Sequence, residues 1–166
     1  MPERRYKKLD NRLTAIAELM REGSYVYDIG TDHAHLPCQL ARSGKHKHIY
    51  ASDLNENPLE FAKKQIEHQG VDVTLLKSNG LLDVPPPPEN TLVDIVIAGM
   101  GGELIAEILT QMPAEFTKTN LRLILQPMTR AKHLERSLRE LGFKIISEKT
   151  VSERERSFVI FYVERL

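Results

Sequence analysis

The sequence predicts an α/β fold: a mostly parallel seven-stranded sheet with helices on both faces and a C-terminal antiparallel hairpin. Three observations carry this. Five short apolar runs, rich in β-branched and aromatic residues, recur along the chain. Helical patterns separate them, as βαβ units with a parallel sheet require. The last two strand-like runs have only the charged connector "SERER" between them. A parallel crossover needs roughly a dozen residues, so this final pair must be antiparallel.

In chain order, a basic segment and the amphipathic stretch "LDNRLTAIAELM" come first, together residues 1–22. Leu13, Ile16, Ala17 and Met20 share one face of that stretch, which predicts a helix lying across the sheet. The first strand is Tyr25–Ile29, followed by a short helix from Ala34 to Ser43 that Gly44 closes. The second strand is His48–Ser52. Asn57-Pro58 then opens a helix in cap-then-proline order, running to Gly70. The third strand is Val73–Lys77, and Pro85–Pro88 form a rigid extended loop before the fourth, Val93–Ala98. Gly101 to Gln111 reads as a helix with Leu104, Ile105, Ile108 and Leu109 on its buried face. The fifth strand is Leu121–Gln126. A last helix, Arg130 to Leu141, carries Leu134, Leu138 and Leu141 at helical spacing and stops at Gly142. "FKIISEKTV" and "SFVIFYVER" make the hairpin. No linker or repeat divides residues 1–166, so one domain is expected. Five alternating units followed by a hairpin is the layout of a Rossmann-like class I methyltransferase; a nicotinamide-binding domain normally continues with parallel strands.

Composition narrows the class. A chain of 166 residues buries on the order of 70% of its unfolded surface, enough for a real core. Its 41% hydrophobic and 28% charged residues are those of a globular rather than a disordered chain. No apolar run approaches a membrane span, and the first residues are too polar for a secretory leader. The lone Cys38 rules out an internal disulfide and suits a reducing cytosol, so a cytoplasmic location is expected. Lys plus Arg and Asp plus Glu balance at 23 each. A polyanion must therefore be held by a local patch.

Ligands of open α/β sheets sit beyond the carboxyl ends of the strands. After the first strand stand Asp28 and Gly30: glycine admits close backbone approach, and Asp28 can accept from an ammonium group. A pyrophosphate cradle would need further glycines, but Thr31-Asp32-His33-Ala34-His35 fills those places, and a carboxylate there repels phosphate. After the second strand, Asp53 with the adjoining Leu54 stands where a ribose diol is held. After the third, Asn79 can read an adenine edge while Gly80 keeps clear of its ring. After the fourth, Gly99 opens "GMGG", a cluster that tight strand–helix packing also explains. Gln126-Pro127 faces the same rim. Adenine, ribose and an amino-acid moiety without a phosphate cradle describe S-adenosylmethionine.

Taken together, "LDNRL", "DIGTDHAHLP", "NG", "VIAGMGG" and "LILQP" closely resemble the bacterial tRNA (adenine-22, N1)-methyltransferase family, from about Leu9 to the last strand. Thr31 and His35 stand where that family's signature has Ser and Tyr. The resemblance implies S-adenosylmethionine as donor and N1 of an adenine in the D-arm region of tRNA as acceptor. Family members continue into a helical, coiled-coil-like segment that helps grip tRNA; the sequence stops at Leu166, and the expectation is a catalytic domain without that extension.

Adenine N1 is unprotonated at neutral pH and needs no strong base, but its methylated product is cationic. A carboxylate at the site stabilises that charge. Asp32, where the turn faces both the donor and the incoming base, is the candidate catalytic group and also a candidate cofactor contact; His33 orients it or hydrogen-bonds the substrate, and His35 is within reach of a phosphate. The competing reading is Asp32 as the cap of the helix at Ala34. No metal is expected, because His33 and His35 lack partners at ligand spacing. His46 and His48 read as solvated, and Cys38 as core. Candidate tRNA contacts are Arg4, Arg5, Lys7, Lys8 and Arg12, with Arg130, Lys132 and Arg136 as a second source. The alternatives are a methyltransferase of the same fold with another substrate, or a silent cofactor-binding module.

Overall fold

The computed structural model describes residues 6–166. The strands are β1 (Tyr25–Ile29), β2 (His48–Asp53), β3 (Thr74–Lys77), β4 (Leu92–Met100), β5 (Asn120–Pro127), β6 (Phe143–Glu153) and β7 (Arg156–Arg165). The helices are α1 (Asn11–Glu18), α2 (His35–Ser43), α3 (Glu56–Gln69), α4 (Gly102–Thr110) and α5 (Ala131–Glu140), with a short 3-10 turn at Ala114–Lys118. Sheet order is β3-β2-β1-β4-β5-β7-β6. The first five strands run parallel, and β7 lies antiparallel to both β5 and β6. Strand order reverses between β1 and β4, which creates a crevice at their carboxyl ends.

Side chains alternate between the two faces, so one run of β-branched residues supplies two cores. Tyr27, Ile95, Ile97, Leu123 and Leu125 pack with Ile105, Ile108 and Leu109 of α4 and Leu134 and Leu138 of α5. Their neighbours Val26, Val96 and Ile124 face the other way, onto Ile16 of α1 and Leu36 and Leu40 of α2. Cys38 is fully buried between α2 and α3 with Ala34 and Ala62, and burial pushes its thiol up to about 11, so it stays protonated core. The far end of the sheet is fixed by Arg21. Its Nε donates to Asp94 Oδ1 at 2.8 Å and its backbone N–H to Oδ2 at 2.8 Å, while the guanidinium also reaches the Val93 and Asn120 carbonyls.

Several expectations need correction. The helix after β2 begins at Glu56 with Asn55 as its cap, so Asn57-Pro58 lies inside its first turn. Proline is tolerated there because the first-turn N–H groups have no helical acceptor. Leu104 is 48% exposed and turned away from the core its helix otherwise buries. His46 and His48 are half-buried and hydrogen-bonded rather than solvated: His46 Nδ1 lies 3.2 Å from Ser24 Oγ, and His48 Nε2 lies 2.7 Å from Thr74 Oγ1. No helix among the described residues is long and apolar enough to cross a membrane.

Candidate functional site

A cleft of about 700 Å³ opens beyond the carboxyl ends of β1, β2, β3 and β4. Asp28, the penultimate residue of β1, is buried there and accepts from Thr31 Oγ1 at 2.8 Å. Burial pushes its carboxyl up to about 6; the Thr31 hydrogen bond and the Arg12 charge pull it back, and the Asp53 carboxylate pushes it further. Gly30 and Thr31 both donate their N–H groups to the Ser52 carbonyl, at 2.9 and 2.8 Å, which ends the strand. Gly30 has φ +73°, and a Cβ there would overlap Met100 Cε, so only glycine fits this turn without displacing Met100.

The turn that follows is strained. Asp32 (φ +54°) and Ala34 (φ +61°) both take the left-handed conformation that side chains disfavour. Ala34 is the cap residue of α2, and no side chain caps that helix. The competing reading of Asp32 as a helix cap is therefore overturned. Its side chain instead stands 75% exposed at the cleft, with Oδ1 3.7 Å from His33 Nε2. His33 lies against Phe61 of α3, ring centroids 4.8 Å apart, and meets His35 edge-on at 5.9 Å. The His35 pKa is lowered, first by burial and then by Lys7 and His33.

Asp53 ends β2 and holds two loops. Its Oδ2 accepts the Asp32 N–H at 3.2 Å and its Oδ1 the Asn55 N–H at 3.1 Å. Each oxygen keeps a second lone pair for a ligand. Leu54 beside it is exposed over the cleft. After β3, the Asn79 N–H donates to Asp83 Oδ2 at 2.9 Å, while its side-chain amide has no hydrogen-bond partner among the described residues. Gly80 (φ +57°) sits where a Cβ would meet Ile108 Cγ2 at 3.1 Å. At the end of β4, Gly99 (φ +84°) donates its N–H to Gln126 Oε1 at 3.0 Å. Gly102 fulfils the packing alternative: a Cβ there would strike the Arg130 carbonyl.

The cleft thus gathers Asp28, Gly30, Asp32, His33, Asp53 and Leu54 from the first two strand ends, with Asn79, Gly80 and Gly99 from the next two. Sequence reasoning missed Leu104, Met128 and Phe158 in its wall. It also put Arg12 in an outer basic patch, whereas Arg12 faces inward, its Nη1 donating to Gln126 Oε1 at 2.8 Å. Arg12, Gln126 and Phe158 come from three distant segments, so no local signal joins them. Of the basic residues, Arg4 and Arg5 lie outside the described residues. Lys7 and Lys8 line a second cavity. Arg130 pairs with Glu103 at 3.1 Å, and Lys132 and Arg136 line a shallow exposed groove on α5. Among the described residues no three His, Cys, Asp or Glu side chains converge as a metal site requires.

Chemically, the cleft offers the two buried carboxylates of Asp28 and Asp53, the free Asn79 amide and three side-chain-free approaches, with the exposed Asp32 carboxylate at its edge. Residues 9–161 match the family described as "Methyltransferase domain". A Bacillus subtilis protein named tRNA (adenine(22)-N(1))-methyltransferase is 33% identical over 95% of this chain, and the chain spans 65% of that relative's length. The crystal structure of the B. subtilis M1A22 tRNA methyltransferase TrmK aligns with TM-score 0.84 and 32% identity, over 96% of this chain and 67% of that one. The structure of M. capricolum TrmK in complex with S-adenosyl-homocysteine aligns with TM-score 0.84 and 29% identity, over 96% of this chain and 70% of that one.

Proposed function

The chain belongs to the methyltransferase-domain family, and on that premise we propose that it transfers a methyl group from S-adenosylmethionine to N1 of an adenine in tRNA, at position 22 in the D-arm region. The observation that carries this reading is the convergence of Asp28, Asp53 and Asn79 on one cleft whose edge bears the exposed Asp32 carboxylate. The relatives named above as tRNA (adenine-22, N1)-methyltransferases support it.

The donor set suits this cofactor. Asp28 accepts from its ammonium group, and Asp53 accepts from the ribose hydroxyls with the lone pairs that the Asp32 and Asn55 amides leave free. The Asn79 amide reads the adenine edge, and Leu54 covers the ring. Gly30, Gly80 and Gly99 keep the floor open to close approach. Bound S-adenosylmethionine supplies an electrophilic methyl group on a sulfonium.

The chain's own task is alignment, exclusion of water and charge compensation. Adenine N1 attacks through its lone pair, so no residue removes a proton from it. The Asp32 carboxylate accepts from the exocyclic amine of the target base and balances the positive charge that the ring acquires. His33 orients Asp32 from 3.7 Å. Lys7 and Lys8, and Lys132 and Arg136 on α5, neutralise tRNA phosphates without reading sequence. Arg12 is assigned to the cleft wall instead. The working compartment is the cytoplasm.

Tritium transfer from labelled S-adenosylmethionine into unmodified bacterial tRNA tests this reading. Label recovered as 1-methyladenine supports it. Cofactor binding with label appearing in a protein or small molecule instead would move the chain to another substrate of the same fold.

A further inference from the structure

We propose that the second cavity, between the start of α1 and the tip of the β6–β7 hairpin, is a phosphodiester subsite that holds the RNA backbone beside the methyl-accepting base. The proposal rests on the tRNA reading above. The cavity measures about 450 Å³ and shares His35, Arg156 and Phe158 as wall with the larger cleft. A base seated in the cleft leaves its sugar and phosphate outside, and this is the charged space next door.

Four cations line it: Lys7, Lys8, Arg154 and Arg156. All four are exposed, and none forms an ion pair among the described residues. The two carboxylates in the same wall are already engaged. Asp10 Oδ1 accepts the Leu13 N–H at 2.8 Å as the cap of α1, and Glu153 Oε2 accepts the Asn11 N–H at 2.5 Å. Asn11 Nδ2 also donates to the Ser152 carbonyl at 3.0 Å, which fastens the hairpin to α1 and holds both groups of cations at one cavity. The whole chain carries as many acids as bases, so a local excess of unpaired cations is not a by-product of a basic protein.

Arg156 stands at the boundary. Its guanidinium lies 5.4 Å from the centre of the Phe158 ring, and both residues belong to both cavities. A planar guanidinium held on an aromatic face presents its fork outward, and that fork matches two phosphate oxygens. His35 is kept below its ordinary pKa by burial, Lys7 and His33, so at neutral pH the positive charge rests on the lysines and arginines. The hairpin tip thereby acquires a role that its sequence, a charged connector, does not suggest.

The test is tRNA binding by the whole chain with Lys8→Ala and Arg154→Ala combined, two residues that line the second cavity but not the larger cleft, titrated from about 50 to about 300 mM salt with S-adenosylhomocysteine present. Affinity should fall about tenfold at ~0.15 M salt, and the slope of log K against log salt should become shallower by about 1.4–1.8, as for two lost phosphate contacts. Calorimetric affinity for S-adenosylhomocysteine should stay at the wild-type value, which also reports that the variant is folded. Lys118→Ala, at the other end of the sheet and paired with Glu89 at 3.2 Å, should leave both quantities unchanged. A double variant that keeps wild-type tRNA affinity and slope overturns the subsite while leaving the methyltransferase reading intact. A wild-type chain that binds the cofactor product but neither binds nor methylates tRNA overturns both.

Discussion

The backbone N–H of Asp32 donates to Asp53 Oδ2 at 3.2 Å, so the strained turn after β1 hangs on the carboxylate that ends β2. The proposed catalytic group and the proposed ribose acceptor are therefore mechanically joined. Asp53→Ala should weaken S-adenosylhomocysteine binding by about 10–100-fold, from the loss of hydrogen bonds to a charged acceptor. It should also lower kcat at saturating donor, because the Asp32 turn loses its anchor. Asp53→Asn keeps one acceptor oxygen and should fall between. Calorimetry and steady-state kinetics read the two effects separately; unchanged cofactor affinity would contradict the assignment.

Asp32→Ala should behave differently. Its side chain is exposed and caps no helix, so folding and cofactor affinity should hold within about threefold. The methyl-transfer kcat should fall by about 10²–10³, the usual scale for removing one group that stabilises developing charge. Asp32→Asn keeps the shape without the charge and should recover little. Wild-type kcat in either variant would remove Asp32 from the mechanism.

Asp28 predicts a pH dependence with a definite sign. Folding raises its pKa from 3.8 to about 6, chiefly through burial. The protonated carboxyl therefore contributes stability below about pH 4, and that contribution is lost as pH rises through about 6. Asp28→Asn should remove this part of the pH profile and exceed wild type in stability at about pH 7.5, measured by urea unfolding. Donor affinity should run the opposite way. The ionised form accepts the cofactor's ammonium group, so binding should strengthen as pH climbs through about 6, and Asp28→Asn should flatten that rise. Affinity independent of pH in the wild type would contradict the contact.

Arg21→Ala should be the severe stability variant. It strips Asp94, which is fully buried, of its guanidinium partner. The expected cost is about 3–5 kcal/mol, the range for leaving one charge of a buried pair uncompensated. Thermal and urea unfolding measure it; a cost below about 1 kcal/mol would mean that water reaches Asp94.

Much of the architecture is legible in the sequence because the sheet is buried on both faces. Tyr25–Ile29 and its counterparts are continuous apolar runs, and such runs between helical patterns have few other readings. The strand-end residues are legible for the same reason, since fold topology alone brings Asp28, Asp53, Asn79 and Gly99 to one crevice. What escaped depends on long-range contact or on local geometry. Leu104 follows the apolar period of α4 but faces the cleft, and periodicity cannot tell a core from a ligand wall. Arg12 looks like part of a solvated basic run until α1 is packed against β6 and Gln126 appears beside it. Asp32 resembles a helix cap in sequence, and only its positive φ and the cap at Ala34 separate the two readings. The start of α3 is ambiguous in the sequence because Asn55 and Asn57 are both cap-type residues, and Pro58 is compatible with either.

The activity proposed for this cleft is methylation of N1 of one tRNA adenine. Its most direct test is mass-spectrometric mapping of methyl groups on two tRNA transcripts incubated with the protein and S-adenosylmethionine, one carrying adenine at position 22 and one guanine. A single 1-methyladenine at position 22 of the first transcript, with none in the second, is the predicted result. Methylation elsewhere in the RNA, or none in either transcript despite bound cofactor, would contradict it.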